Sequence, residues 1–191
     1  MRTSNFFSIA ALVICGMVCV TNVKGEGSGA TSNPVTVNIR FQPVQSIVVN
    51  PVQETVNLVY ATKDDYSKGV SEKMTDHLTV FSTGGFVVNV KSDGDFKRGD
   101  GTMVIPAGDM KITVENGTDT ETETGAFTTQ SLSTSDLPVI TANEGGNELK
   151  YNVTYDNKTA GSSYDYINRY IHGDSPESVY TAQVTYTIVT N

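Results

Sequence analysis

Apolar residues recur at a spacing of two along most of this chain. Val35, Val37, Ile39 and Phe41 alternate with Thr36, Asn38 and Arg40; Leu149, Tyr151, Val153 and Tyr155 alternate with polar neighbours; so do Tyr180, Ala182, Val184, Tyr186 and Ile188. Successive side chains of a strand point to opposite faces, so this period predicts strands with one buried face. Pro43 and Pro51 bracket the run QSIVVN, which predicts a short strand between two breaks. Val56, Leu58 and Tyr60 predict another. Leu78 and Val80 precede Gly84-Gly85, and Phe86, Val88 and Val90 follow it, which fits either two paired strands or one strand with a bulge. Val104–Ile105, the alternating Met110, Ile112 and Val114, and the stretches FTTQSL and DLPVITA supply further strand material.

The intervening segments carry turn chemistry. KDDYSKGVSEK reads as a polar connection, SDGDFKRGDG as turns, and GTDTETETG as an acidic surface loop. The stretch DNKTAGSSYDYINRYIHGDSPES is long, polar and rich in tyrosine, with room for one short helix at YDYINRYI. Roughly eight or nine short strands, with no strongly amphipathic helix, predict an all-β, immunoglobulin-like antiparallel sandwich. The abundance of threonine and valine and the scarcity of leucine favour sheet as well.

One strand lacks an obvious partner. Only a leader and the small polar stub EGSGATSN precede Val35–Phe41. Arg2, the apolar run Phe6–Val20, and Val23 and Gly25 at the −3 and −1 positions before Glu26 predict a cleaved secretion signal over residues 1–25. The apolar run is short of the roughly 20 residues that a spanning helix needs, and no later segment is apolar enough to span a bilayer. The expected organisation is therefore signal peptide 1–25, flexible stub 26–34 and one sandwich domain 35–191, secreted to the extracellular space or cell surface. Both cysteines, Cys15 and Cys19, fall in the leader, so a mature chain would rest on its core without disulfides. Without Arg2 and Lys24, the 13 basic side chains fall to 11 against 21 acidic ones, which argues against nucleic acid as a partner.

Candidate chemistry is sparse. His77, just before a strand, and His172, in a loop, lie in no zinc or nucleophile-elbow spacing, and they read as structural or surface histidines. Asp93-Gly94-Asp95 with Asp100 resembles part of a calcium loop, but Lys97 stands where an oxygen ligand is wanted and the closing glutamate is missing. The tripeptide Arg98-Gly99-Asp100 reads as a charged turn. Asn116, Asn152 and Asn157 open N-glycosylation sequons that matter only in a host with that machinery. No enzyme, cofactor or metal site is expected. Tyr164, Tyr166 and Tyr170 form a candidate ligand surface for a glycan or protein, weighed against a role in covering the core.

The order of these features resembles bacterial pilus subunits of the alpha-fimbrial type and the related spore-coat-U-like secreted domains. The likeness rests on the pattern from Val35 to Leu58, on VNLVYATKDDYSKG and HLTVFSTGGFVVNV, and on the closing VYTAQVTYTIV. The resemblance implies a sandwich that lacks its last strand and is completed by the N-terminal extension of another subunit, so that strand addition becomes polymerisation. Carried over, the donor face would be Val35, Val37, Ile39 and Phe41, and the acceptor edge would border Val184, Tyr186 and Ile188. The partners it implies are like subunits in a head-to-tail polymer, or a secretion chaperone. The alternative is a self-complemented secreted monomer whose loops bind a surface glycan or protein.

Overall fold

The computed structural model describes residues 32–99, 101, 103–118, 125–171 and 178–191. The leader 1–25, most of the stub, Asp100 and His172 lie outside the described residues. Among those described, twelve antiparallel strands and three short helices make an all-β sandwich. Seven strands have five residues or more: β1 (Gln45–Val49), β2 (Ser71–Ser82), β3 (Phe86–Ser92), β6 (Lys111–Asn116), β9 (Leu137–Ala142), β10 (Gly146–Asp156) and β12 (Val184–Thr190). The others are short: β4 (Phe96–Arg98), β5 (Val104–Ile105), β7 (Ala126–Phe127), β8 (Gln130–Ser131) and β11 (Tyr180–Thr181).

One sheet has the order β1-β2-β10-β6-β8 and the other β12-β3-β9-β7, with β11-β4-β5 as a small third sheet. The Gly84-Gly85 turn joins β2 to β3, so the chain passes from one sheet to the other there. The period-two pattern supplies the core directly: Leu78 and Val80 of β2, Phe86, Val88 and Val90 of β3, Ile112 of β6, and Tyr151 and Val153 of β10 are fully buried. Removing such side chains from water stabilises the fold by about 1.5–3 kcal/mol each, and with no cysteine among residues 32–191 this is the main cohesive term.

Three expectations need correction. Val35–Phe41 belongs to no ladder, because a strand forms only where a neighbour satisfies its backbone groups. One compact unit spans Phe41–Asn191. Val56, Leu58 and Tyr60 do alternate inward, but residues 55–60 are extended without a strand partner. KDDYSK is not a connection but a helix, α1 (Lys63–Lys68), started by a capping box between Thr62 and Asp65 and stopped at Gly69 with φ 70°.

β2 departs from regular pairing at one place that matters below. Met74 pairs with Val153 and Leu78 with Tyr151, so Thr75, Asp76 and His77 all stand opposite Asn152. Asp76 takes up φ 51°, a left-handed conformation that aspartate tolerates better than most residues. Its backbone N–H donates to buried Asn152 Oδ1 at 2.8 Å, while its carboxylate accepts from the Thr118 N–H at 2.8 Å and from the Thr118 hydroxyl. That hydroxyl bond is the leading cause holding the Asp76 carboxyl below its ordinary value. The bulge turns His77 into the interior.

Candidate strand-acceptor groove

β1 and β12 are edge strands of facing sheets, and they lie close together. Each is hydrogen-bonded on one side only, β1 to β2 and β12 to β3. Gln45 at the start of β1 and Asn191 just after β12 meet at one end, where Gln45 Nε2 and the Asn191 N–H both donate to the Gly85 carbonyl at 3.4 and 3.2 Å. The strands therefore run in opposite directions. Their inward side chains, Ile47 and Val49 on one and Val184, Tyr186 and Ile188 on the other, pack on the core yet stay partly exposed. In a closed sandwich these positions would be covered. Here they form a partly exposed apolar seam between the two edge strands, and past a 3-10 turn at Pro51–Gln53 the chain continues from β1 into residues 55–60, which pair with no strand among the described residues.

A hydrogen-bonded chain crosses the groove floor between the two walls. Gln53 donates its Nε2 to the Thr75 carbonyl at 2.9 Å, which turns its Oε1 toward His77 Nδ1 at 3.0 Å. Nδ1 thus carries the ring proton, and Nε2 accepts from the Tyr155 hydroxyl at 3.0 Å. Tyr155 in turn accepts from the Tyr186 hydroxyl at 2.9 Å. Burial pushes the His77 imidazole below its ordinary value and the Tyr155 phenol up to about 12, and it raises the Tyr186 phenol as well. All three stay neutral near pH 7, so the floor is polar but carries no charge.

A cleft of about 600 Å³ opens between residues 56–60 and residues 178–180. Five tyrosines form a continuous series of ring contacts around it. Tyr66 meets Tyr60 at 5.2 Å between centroids, Tyr60 meets Tyr166 at 5.6 Å, Tyr166 meets Tyr170 at 5.0 Å, and Tyr170 meets Tyr180 at 5.7 Å. Tilted and edge-on contacts at such distances are favourable beyond simple area burial. Behind them, buried Asn157 accepts from the Tyr60 hydroxyl and donates Nδ2 to Tyr166 Oη at 2.9 Å and to the Asp109 carbonyl at 3.2 Å. Tyr166 donates to Asp109 Oδ2 at 3.2 Å. Burial raises Tyr60 to about 12, raises Tyr166 as well, and lifts the Asp109 carboxyl above its usual range.

The sequence-derived candidates fall in distinct places. Val184, Tyr186 and Ile188 share the inner face of β12 along the groove. Val35, Val37, Ile39 and Phe41 expose 82, 79, 78 and 92% of their surface, an apolar strip without cover. Tyr164, Tyr166 and Tyr170 do not form one surface: Tyr164 is exposed, whereas Tyr166 and Tyr170 are buried beneath the cleft. A short helix of alternating tyrosines must send one side chain outward and the next inward, which separates them. His77 is buried in β2 and does not precede it. Asp93 and Asp95 spend a carboxylate oxygen each on backbone N–H groups, of Gln183 and Ala107, at 2.9 Å. Asn152 and Asn157 of the sequons are buried hydrogen-bonding residues.

Tyr60, Tyr180, Gln53 and Tyr155 were not singled out from sequence. Tyr60, Tyr155 and Tyr180 do stand at inward positions of their alternating segments, which is the one signal that marks them. Neither a protein-family model nor a curated protein matches the chain.

Proposed function

We propose that this chain is a secreted structural or adhesive subunit of a surface polymer, whose open groove accepts an N-terminal strand of a like subunit. One observation carries this reading: two neighbouring edge strands, each paired on one side only among the described residues and carrying partly exposed core residues, coexist with an exposed apolar strip of strand periodicity in the same chain. An edge strand with free N–H and C=O groups is a template for pairing with another chain. A head-to-tail contact that does not close generates a fibre. On this reading the donor residues are Val35, Val37, Ile39 and Phe41, the acceptor residues are Val184, Tyr186 and Ile188, and no catalytic step is involved. A secretion chaperone would shield the groove before assembly.

The test is a chain without residues 26–41. It should stay monomeric, and it should take up a synthetic PVTVNIRF peptide with a rise in melting temperature. Stable folding with no uptake of the peptide would sink the reading and favour a self-complemented monomer.

A further inference from the structure

We propose that the tyrosine-lined cleft is a binding site for an organic cation of the quaternary-ammonium class, held against the rings of Tyr60, Tyr66, Tyr166, Tyr170 and Tyr180. The site does not depend on assembly. All five tyrosines line the cleft, whose volume of about 600 Å³ falls within the range of small-molecule sites. Successive rings are turned against one another by 50°, 39°, 80° and 71°, so they do not stack but bend around the space as walls. Tyr166 and Tyr170 are buried, whereas Tyr60, Tyr66 and Tyr180 are half-buried and leave part of each ring within reach of a ligand. The face of such a ring carries negative potential and attracts a cation.

The polar groups of the cleft are already engaged with one another. The Tyr66 hydroxyl donates to the Tyr60 carbonyl at 3.3 Å, and the Tyr180 hydroxyl donates to the Tyr170 carbonyl at 3.2 Å. Asn157 holds the Tyr60 and Tyr166 hydroxyls and the Asp109 carbonyl. A sugar, which exchanges water for direct hydrogen bonds, therefore meets rings and few free partners. None of the described lining residues is basic, so an anion lacks a counter-charge, and none is acidic, so a hard metal ion lacks carboxylate ligands. A weakly hydrated organic cation needs neither, because ring faces suffice.

Charge around the walls has the matching sign. Asp65 and Asp156 act electrostatically on Tyr60, Asp109 acts on Tyr166, and Asp109 and Asp165 act on Tyr170. Arg169 stands against the same arc, with its guanidinium carbon 5.9 Å from the Tyr170 ring centroid, so one of these rings already takes a cation. Asp165 lies 3.8 Å from that guanidinium and offsets its charge. A neutral apolar ligand would fill the same space but gain nothing from the ring potential or from the carboxylates, and this difference separates the two.

The experiment titrates the full chain with choline chloride at constant ionic strength, and in parallel with the neutral isostere of choline in which carbon replaces the nitrogen. The chain has nine tyrosines and no tryptophan, so tyrosine fluorescence reports the site directly, with calorimetry for the affinity. Choline should bind about tenfold more tightly than the isostere, the size of a cation–ring contact shielded from water. Tyr66→Leu and Tyr180→Leu should each weaken choline binding several-fold, whereas Tyr66→Phe and Tyr180→Phe keep the ring and should keep the affinity; thermal melting checks that each variant is folded. Asp109→Asn should lower the affinity for choline and leave that for the isostere unchanged. Equal binding of choline and the isostere would overturn the cation as ligand, and no binding of choline would overturn the site. Folded leucine variants that bind choline as the wild type does, or phenylalanine variants that lose as much as the leucine ones, would overturn the rings as the recognising groups.

Discussion

His77 shows how one buried side chain couples pH to stability. Its ring is 2% exposed and held neutral by burial, below the ordinary value of 6.5. Near and below that value the unfolded chain binds a proton that the folded chain refuses, so stability falls as pH drops and levels off above it. The slope from this group is at most about 1.4 kcal/mol per pH unit. Urea melts of wild type and His77→Gln at pH 7.5 and 5 should show a larger acid loss in the wild type, and an equal loss would remove the assignment. At the tyrosine cleft, Asn157→Ala would remove the acceptor of the Tyr60 hydroxyl and the donor to both the Tyr166 hydroxyl oxygen and the Asp109 carbonyl. The expected cost is about 2–4 kcal/mol, measured as a shift in denaturation midpoint, because buried groups left unpaired bear their full desolvation penalty.

At the scale of elements, period two was a faithful guide to which side chains are inward and a poor guide to which backbones are paired. β3 and β10 lie where alternation placed them, and the closing alternating segment divides into β11 and β12, whereas residues 55–60 alternate as well and join no sheet among the described residues. Alternation records the burial of side chains, and hydrogen bonding needs a second strand that the pattern does not contain. The bulge was illegible for a related reason. Three residues opposite Asn152 break the count of two, so His77 looked like a residue before a strand. Helix α1 was hidden by its polar composition, although Thr62 and Asp65 stand at capping-box spacing. Thr62→Ala should cost about 1 kcal/mol by removing that cap, measured by thermal melting. The arc of five tyrosines draws on α1, residues 55–60, α3 (Tyr164–Asn168), Tyr170 and β11, so no local stretch of sequence announced it.

For the whole molecule, the groove residues are core residues that the single chain leaves half covered. The strip at Val35–Phe41 likewise leaves four large apolar side chains in water. Joining the two should stabilise the acceptor by mass action, by about 2.7 kcal/mol when the strand is present at a hundred times its dissociation constant. A PVTVNIRF peptide added to the chain without residues 26–41 should raise its melting temperature in proportion to the logarithm of peptide concentration, and a peptide with Ile39→Asp should not. The same uncovered apolar surface favours unspecific association of the isolated chain.

The unpaired residues 55–60 carry one more consequence. Val56 and Leu58 pack on the core, yet among the described residues no backbone hydrogen bond to another backbone group ties this segment down. Buried side chains and unprotected amides rarely occur together, and deuterium labelling separates the two. In the lone chain these amides should exchange rapidly while those of β2 and β10 are retained for hours. A strand laid beside them would slow that exchange at residues 55–60 first, giving a time-resolved record of its docking that needs no tag or change of residue.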